Sequence, residues 1–242
     1  MTERITRADR EGVCTLTLDR PDKLNALDTQ AFEELDAHLA ALEGDEAIAC
    51  VILRGAGRGF CAGADLGGIG SAPVPPKFKP SVIERLGTLA KPVIAAVHGV
   101  CLTGGLELAL ACDFIVADAS ARFADTHGKW GLVGQWGMSQ RLPRRIGDAQ
   151  AKLMMMTARE VGAEEAHRIG LVDILGDDLD ATLADLTARF LATSAFTNAA
   201  TKRLMIETDG LSLAEGLAHE HFRHPGFAPD HQERIARFTK KA

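Results

Sequence analysis

Apolar and polar residues alternate along Val13 to Leu18 ("VCTLTL"), the period-two pattern of a half-buried strand, and Pro21 stops it. Asp28 is placed to cap a helix in which Phe32, Leu35, Leu39 and Leu42 recur on one face. Ile48 to Gly55 ("IACVILRG") is almost wholly apolar and predicts a second strand, followed by the small-residue loop "GAGRGFCAGADL". Glycine, proline and lysine dominate Gly67 to Pro80, the expected mobile loop over a binding site. "KPVIAAVHGVC" predicts one buried strand running into "LTGGLELALACD", and "FIVADASARFA" repeats the plan of strand, polar turn and short strand. "AEEAHRIGLVDIL" adds a helix and a strand. Beyond Asp178 the period changes, and Ala181–Thr193, Asn198–Glu207, Ser212–His221 and Gln232–Lys240 predict four helices. The pattern describes an α/β core over 1–178 and a helical region over 179–242.

The 242 residues suffice for a substantial core, and 46% hydrophobic with 25% charged residues is ordinary for a globular protein. A net charge of −6 argues against a sequence-independent nucleic-acid binder, and no nucleic-acid partner is expected. The chain contains no tyrosine, which rules out a tyrosine acid or oxyanion donor. Five cysteines in no C-x-x-C spacing predict reduced, mostly buried thiols and a cytoplasmic location. No signal core and no apolar run of ~20 residues is present, so no membrane association is expected.

Several motifs fail on spacing. "GAGRG" (Gly55 to Gly59) follows a strand but has G-x-G-x-G spacing, unlike a dinucleotide loop. "HEHFRH" (His219 to His224) carries Arg223 where a zinc-binding H-E-x-x-H needs histidine, which favours a solvated helix face. "GMSQR" lacks the closing glycine of a nucleophile elbow. Asp113 and Asp118 read equally well as a carboxylate pair or as strand-end residues.

Two segments carry more. "FCAGADL" (Phe60 to Leu66) and "HGVCLTGGLELALACD" (His98 to Asp113) each place small residues directly after a predicted strand. Small side chains let a ligand approach backbone N–H groups, and a helix starting at Gly104-Gly105 offers unpaired donors at its positive end. Two such loops together make an oxyanion hole. Glu107 lies in the first turn of that helix within an apolar run, where a carboxylate is costly unless it has a task. His127, in "RFADTHGKWG", is either a turn histidine or an acid–base group.

These segments resemble the enoyl-CoA hydratase/isomerase (crotonase) superfamily almost end to end. "DRPDKLNALD", "GRGFCAGADL", "KPVIAAVHGVCLTGGLELALACD", "FADTHGKWGLVGQWGMSQRLPRRIG" and "AEEAHRIGLVD" match five successive family segments. The resemblance implies an α/β, crotonase-like spiral of ββα turns with a helical C-terminal trimerisation region, giving a homotrimer or a dimer of trimers. It implies an acyl-CoA thioester as substrate, with coenzyme A part of that substrate, and no separate cofactor or metal. The oxyanion N–H groups would belong to Ala64 and Gly104. Lys23, Leu24, Ala26, Ala62, Asp65 and Leu66 would follow the CoA moiety, Trp136 would bound the acyl pocket, and Phe238 and Lys241 would reach a neighbour's CoA.

Hydratases of the family carry two glutamates. Glu107 stands at the first position, and the second falls on His127; Gly134 replaces a usual proline, and Trp136 a smaller residue. The implied reaction is addition of water to a 2-enoyl-CoA, or its reverse. The alternatives are double-bond isomerisation, another acyl-CoA lyase or hydrolase reaction, and a catalytically silent CoA-ester binder. Trp130 and Trp136 suggest short or flat acyl groups.

Overall fold

The computed structural model describes residues 3–68 and 75–239. Its strands are β1 (Ile5–Arg10), β2 (Val13–Leu18), β3 (Cys50–Gly55), β4 (Val93–Val97), β5 (Val100–Leu102), β6 (Phe114–Ala117), β7 (Arg122–Ala124), β8 (Val161–Gly162) and β9 (Ile174–Leu175). The helices are α1 (Thr29–Glu43), α2 (Phe78–Thr88), α3 (Gly104–Ala111), α4 (Met138–Ile146), α5 (Asp148–Thr157), α6 (Ala163–Arg168), α7 (Leu179–Ala192), α8 (Ala195–Glu207), α9 (Leu213–Arg223) and α10 (His231–Thr239).

The alternation in β2 works as expected: Cys14, Leu16 and Leu18 point into the core. β1 and β2 form an antiparallel hairpin, and the rest of the first sheet is parallel in the order β1-β2-β3-β4-β6-β9. β3 and β4 read as continuous apolar runs because both sheet faces are covered. Leu53, Val93 and Ala95 join the main core with α1 to α3, while Ile52, Ile94 and Val116 meet Leu179 and Leu183 of α7 on the other face. Asp28 caps α1 by accepting from the Ala31 N–H at 2.9 Å.

"KPVIAAVHGVC" is not one strand but two, in different sheets: β4 lies in the first, whereas β5 pairs with β7 in a second sheet ordered β5-β7-β8. The break falls at Gly99, which adopts φ +54° where a Cβ would collide with the Arg58 carbonyl. Only glycine makes that turn without strain. β6 and β7 repeat the step, so the chain climbs as a spiral and feeds each second strand into the second sheet.

Of the expected loop at Gly67 to Pro80, residues 69–74 lie outside the described set, and Phe78 to Pro80 already belong to α2. α4 and α5 were not expected from the pattern; Met138, Leu142 and Ile146 bury one face of α4 despite Pro143 within it. Past β9 all described elements are helices. α7 packs on the sheet, whereas α8, α9 and α10 bury no residue. The five cysteines are buried and free, and burial pushes the Cys61 and Cys112 thiols up to about 12. Among the described residues no helix is long and apolar enough to cross a membrane, and no cluster of metal-ligating side chains occurs.

Candidate active site

The two small-residue loops meet. Cys61 pairs with Cys101 as an isolated parallel bridge, through Cys61 N–H to the Val100 carbonyl (3.0 Å) and Leu102 N–H to the Cys61 carbonyl (2.9 Å). A Cβ on Gly105 would collide with the Cys61 carbonyl, and one on Gly63 would stand 3.1 Å from the Gly104 nitrogen. The glycines are therefore required by the approach of one loop to the other. A Cβ on Gly104 would lie 3.3 Å from the Ala64 nitrogen. Among the described residues neither the Ala64 nor the Gly104 N–H donates to a protein acceptor. Two free donors thus sit side by side at the start of α3. Thr103, just before them, holds φ +51° and ψ −112°, a strained conformation fixed by its N–H to the Ala124 carbonyl and a 2.5 Å hydroxyl contact with Thr126.

A third segment backs the first loop. The Asn25 side-chain amide donates to the carbonyls of Ala56, Gly59 and Phe60. The Leu24 carbonyl accepts from Ala62 N–H, and Leu27 and Gly63 pair in the same ladder. Leu24 and Asn25 reach this position through left-handed backbone. Lys23 is exposed, and Leu24, Ala26, Ala62, Ala64 and Asp65 are half-buried along this rim. The Asp65 carboxylate turns to Arg20, which holds it below the usual carboxylate range. Leu66 is partly exposed in a single helical turn.

Glu107 comes from the first turn of α3, which is buried along its whole length. Its Oε1 accepts from the N–H groups of Trp136 (2.8 Å) and Met138 (3.1 Å). Its Oε2 stands 3.8 Å from Nε2 of His127, whose Nδ1 contacts Asp125 Oδ1 at 2.6 Å. The side chains of Glu107, Asp125 and His127 are 1%, 5% and 13% exposed. Burial raises the Glu107 carboxyl above its ordinary value, against the two backbone donors and His127, which lower it. Burial pulls His127 down, but the Asp125 hydrogen bond and the charges of Asp125 and Glu107 carry it upward overall. Each group's titration therefore depends on the other's proton.

Trp136 packs edge-on against Phe32, with centroids 4.9 Å apart, and its ring would collide with a Cβ on Gly104. It therefore packs against Gly104, beside the free N–H groups. Trp130 is 60% exposed and Phe238 is 75% exposed on α10; Lys241 lies outside the described residues. Asp113 is tied to Lys202 and Asp118 to Ser120, so the two aspartates do not pair. His219 binds Glu207 between α8 and α9. A cavity of about 630 Å³ between α2 and α8 is lined by the Asp113–Lys202 pair, Asp209 and Arg141, and Glu107 is not among its lining residues. Sequence reasoning missed Asp125. The available signal was an aspartate two residues before a histidine in a turn, where a carboxylate can accept the local N–H.

The chain is similar to known proteins over nearly its whole length. The model of the enoyl-CoA hydratase/isomerase family matches residues 8–241. A 1,2-epoxyphenylacetyl-CoA isomerase of Escherichia coli is 35% identical, aligned over 100% of this chain and 97% of its own. A short-chain-enoyl-CoA hydratase of Clostridium acetobutylicum is 40% identical over 68% of this chain and 66% of its own. The crystal structure of an enoyl-CoA hydratase from Bacillus anthracis superposes with a TM-score of 0.92 at 30% identity, covering 98% of this chain and 96% of that one. The fold is that of the crotonase superfamily, and the chain belongs to the enoyl-CoA hydratase/isomerase family of enzymes.

Proposed function

We propose that the enzyme adds water across the double bond of a 2-enoyl-CoA thioester, or removes it in the reverse direction. The N–H groups of Ala64 and Gly104 receive the thioester oxygen and stabilise the enolate. Glu107 orients a water toward C3 and takes its proton, and His127 faces the same space. Coenzyme A arrives as part of the substrate and no further cofactor takes part. The observation that carries the reading is the buried Glu107, with one oxygen pinned by two N–H groups and the other turned to His127 beside two unpaired donors. The test is loss of enoyl absorbance with crotonyl-CoA: wild type turns over and Glu107→Gln does not. Equal turnover by both sinks the assignment. Tight acetoacetyl-CoA binding without turnover would instead mark a silent binder.

The Escherichia coli relative is named an isomerase of an epoxyphenylacetyl-CoA; isomerisation, here of an enoyl-CoA double bond, is the second reading. On the same oxyanion hole the two side chains would move a proton between carbons; release of no hydroxyacyl product while the double bond migrates is its signature. The apolar side chains left open on α9, α10 and the segment between them, Phe222, Phe238 and Phe227, support assembly as a homotrimer or dimer of trimers. Light scattering decides the number.

A further inference from the structure

We propose that Asp125 is a positioning residue of this site: its carboxylate keeps a proton on Nδ1 of His127, which makes Nε2 the nitrogen that exchanges protons with the reacting carbon and with Glu107. The inference rests on the hydratase reading for its chemistry, though its geometry does not.

Asp125 Oδ1 accepts twice, from the backbone N–H of His127 at 3.1 Å and from its Nδ1 at 2.6 Å. An ionised carboxylate only accepts, so a contact this short puts the proton on Nδ1. The double hold fixes both the ring and the turn that carries it. Nε2 then points across 3.8 Å to the free oxygen of Glu107. That gap is too wide for a direct hydrogen bond, and a water or a reacting carbon can touch both groups.

Position 134 is built to suit. A Cβ on Gly134 would stand 3.0 Å from Glu107 Oε1 and 3.1 Å from His127 Cε1. The missing side chain makes room for the imidazole ring. Asp125 and Gly134 together make a His at position 127 workable, the first by holding it and the second by leaving it space.

No other charge competes. Glu107 faces His127 from α3 and Asp125 from its own turn, and among the described residues these two are the charges acting on it. Lys129 in the same turn is exposed. α5, packed behind the turn, carries exposed Asp148 and Lys152 facing each other at 3.8 Å. Arg141 of α4 donates to the Trp136 carbonyl.

In the hydration direction Glu107 Oε2 takes a proton from water as the C3–O bond forms. The imidazolium Nε2–H bond breaks as its proton forms the C2–H bond. The proton on Glu107 then passes through a water that touches both groups to Nε2, restoring carboxylate and imidazolium, and the product has gained one water.

Two experiments test the assignment. Long-range 15N–1H spectra of the wild type, above the His127 titration, should show the Nδ1–H form; the Nε2–H tautomer overturns the proposal, whatever reaction the enzyme catalyses. With crotonyl-CoA, Asp125→Asn should lower kcat by about tenfold or more with KM within about twofold, and move the basic limb of the pH profile to lower pH. In a His127→Gln background the same change should add nothing. An unmoved basic limb in folded Asp125→Asn, or additive losses in the double variant, also overturns it. If the wild type fails to hydrate, the function reading falls while the tautomer spectrum still judges Asp125.

Discussion

The two halves of the site are made of different material. The Ala64/Gly104 half is backbone: two loops, brought together by glycines, present N–H groups that depend on no side chain. The Glu107/His127 half is side chain, and each member needs support, from the Trp136 and Met138 N–H groups on one side and Asp125 on the other. A backbone half is conserved in shape as long as its small residues remain small. A side-chain half depends on its neighbours, as His127 depends on the hold of Asp125 and on the space left by Gly134.

The largest test of the comparison is Glu107→Gln, which should lower kcat for crotonyl-CoA by ~10²–10⁴-fold while acyl-CoA binding, a property of the other half, persists. Stopped-flow rates and calorimetry separate the two. Gly104→Ala attacks the backbone half. Its Cβ would collide with the Trp136 ring and crowd the Ala64 nitrogen, so kcat should fall by about 10²-fold and affinity for acetoacetyl-CoA should fall too. If binding survives intact, the two N–H groups do not hold the thioester oxygen.

The pH profile sharpens the side-chain half. Activity should fall as pH drops through the Glu107 value, because the carboxylate must be ionised, and burial lifts that limb above the ordinary carboxylate range. It should fall again as pH rises through the His127 value, because the imidazolium must keep its proton. That limb lies above ordinary imidazole because Asp125 and Glu107 outweigh burial. Outside the two limbs kcat/KM changes ~tenfold per pH unit. A basic limb at or below the ordinary imidazole value, or an acid limb at or below the ordinary carboxylate value, contradicts the pair.

Smaller effects remain. Trp136→Ala opens the space beside Gly104 and should raise relative kcat/KM for longer enoyl-CoAs by ~10-fold, measured across a chain-length series. Asn25→Ala leaves three carbonyls of the first loop without their donor. It should lower stability by ~1–3 kcal/mol in denaturant melts, with a minor loss of rate.

Much of this was legible in the chain. Alternation in Val13 to Leu18, the Asp28 cap and the helical period after Asp178 are local signals, and local hydrogen bonding satisfies them. The small residues at 61–64 and 103–105 announced a close backbone approach. Glu107 stood out because an ionisable group in an apolar run needs partners. The split of "KPVIAAVHGVC" into β4 and β5 was not legible, since periodicity does not say which sheet a strand joins. α4 was hidden by the glycines before it and Pro143 within it.

The sequence by itself determined an α/β core followed by a helical region, the family and the two loops that form the backbone half, because those depend on residue size and on neighbours a few positions away. Only the tertiary structure decided that Asp125, His127 and Glu107 form one line, that Gly134 makes room for the imidazole, and that Trp136 packs against Gly104. Those contacts join residues up to 32 positions apart, from Gly104 to Trp136. Their distances, and hence the direction in which each proton is held, exist only once the spiral has closed.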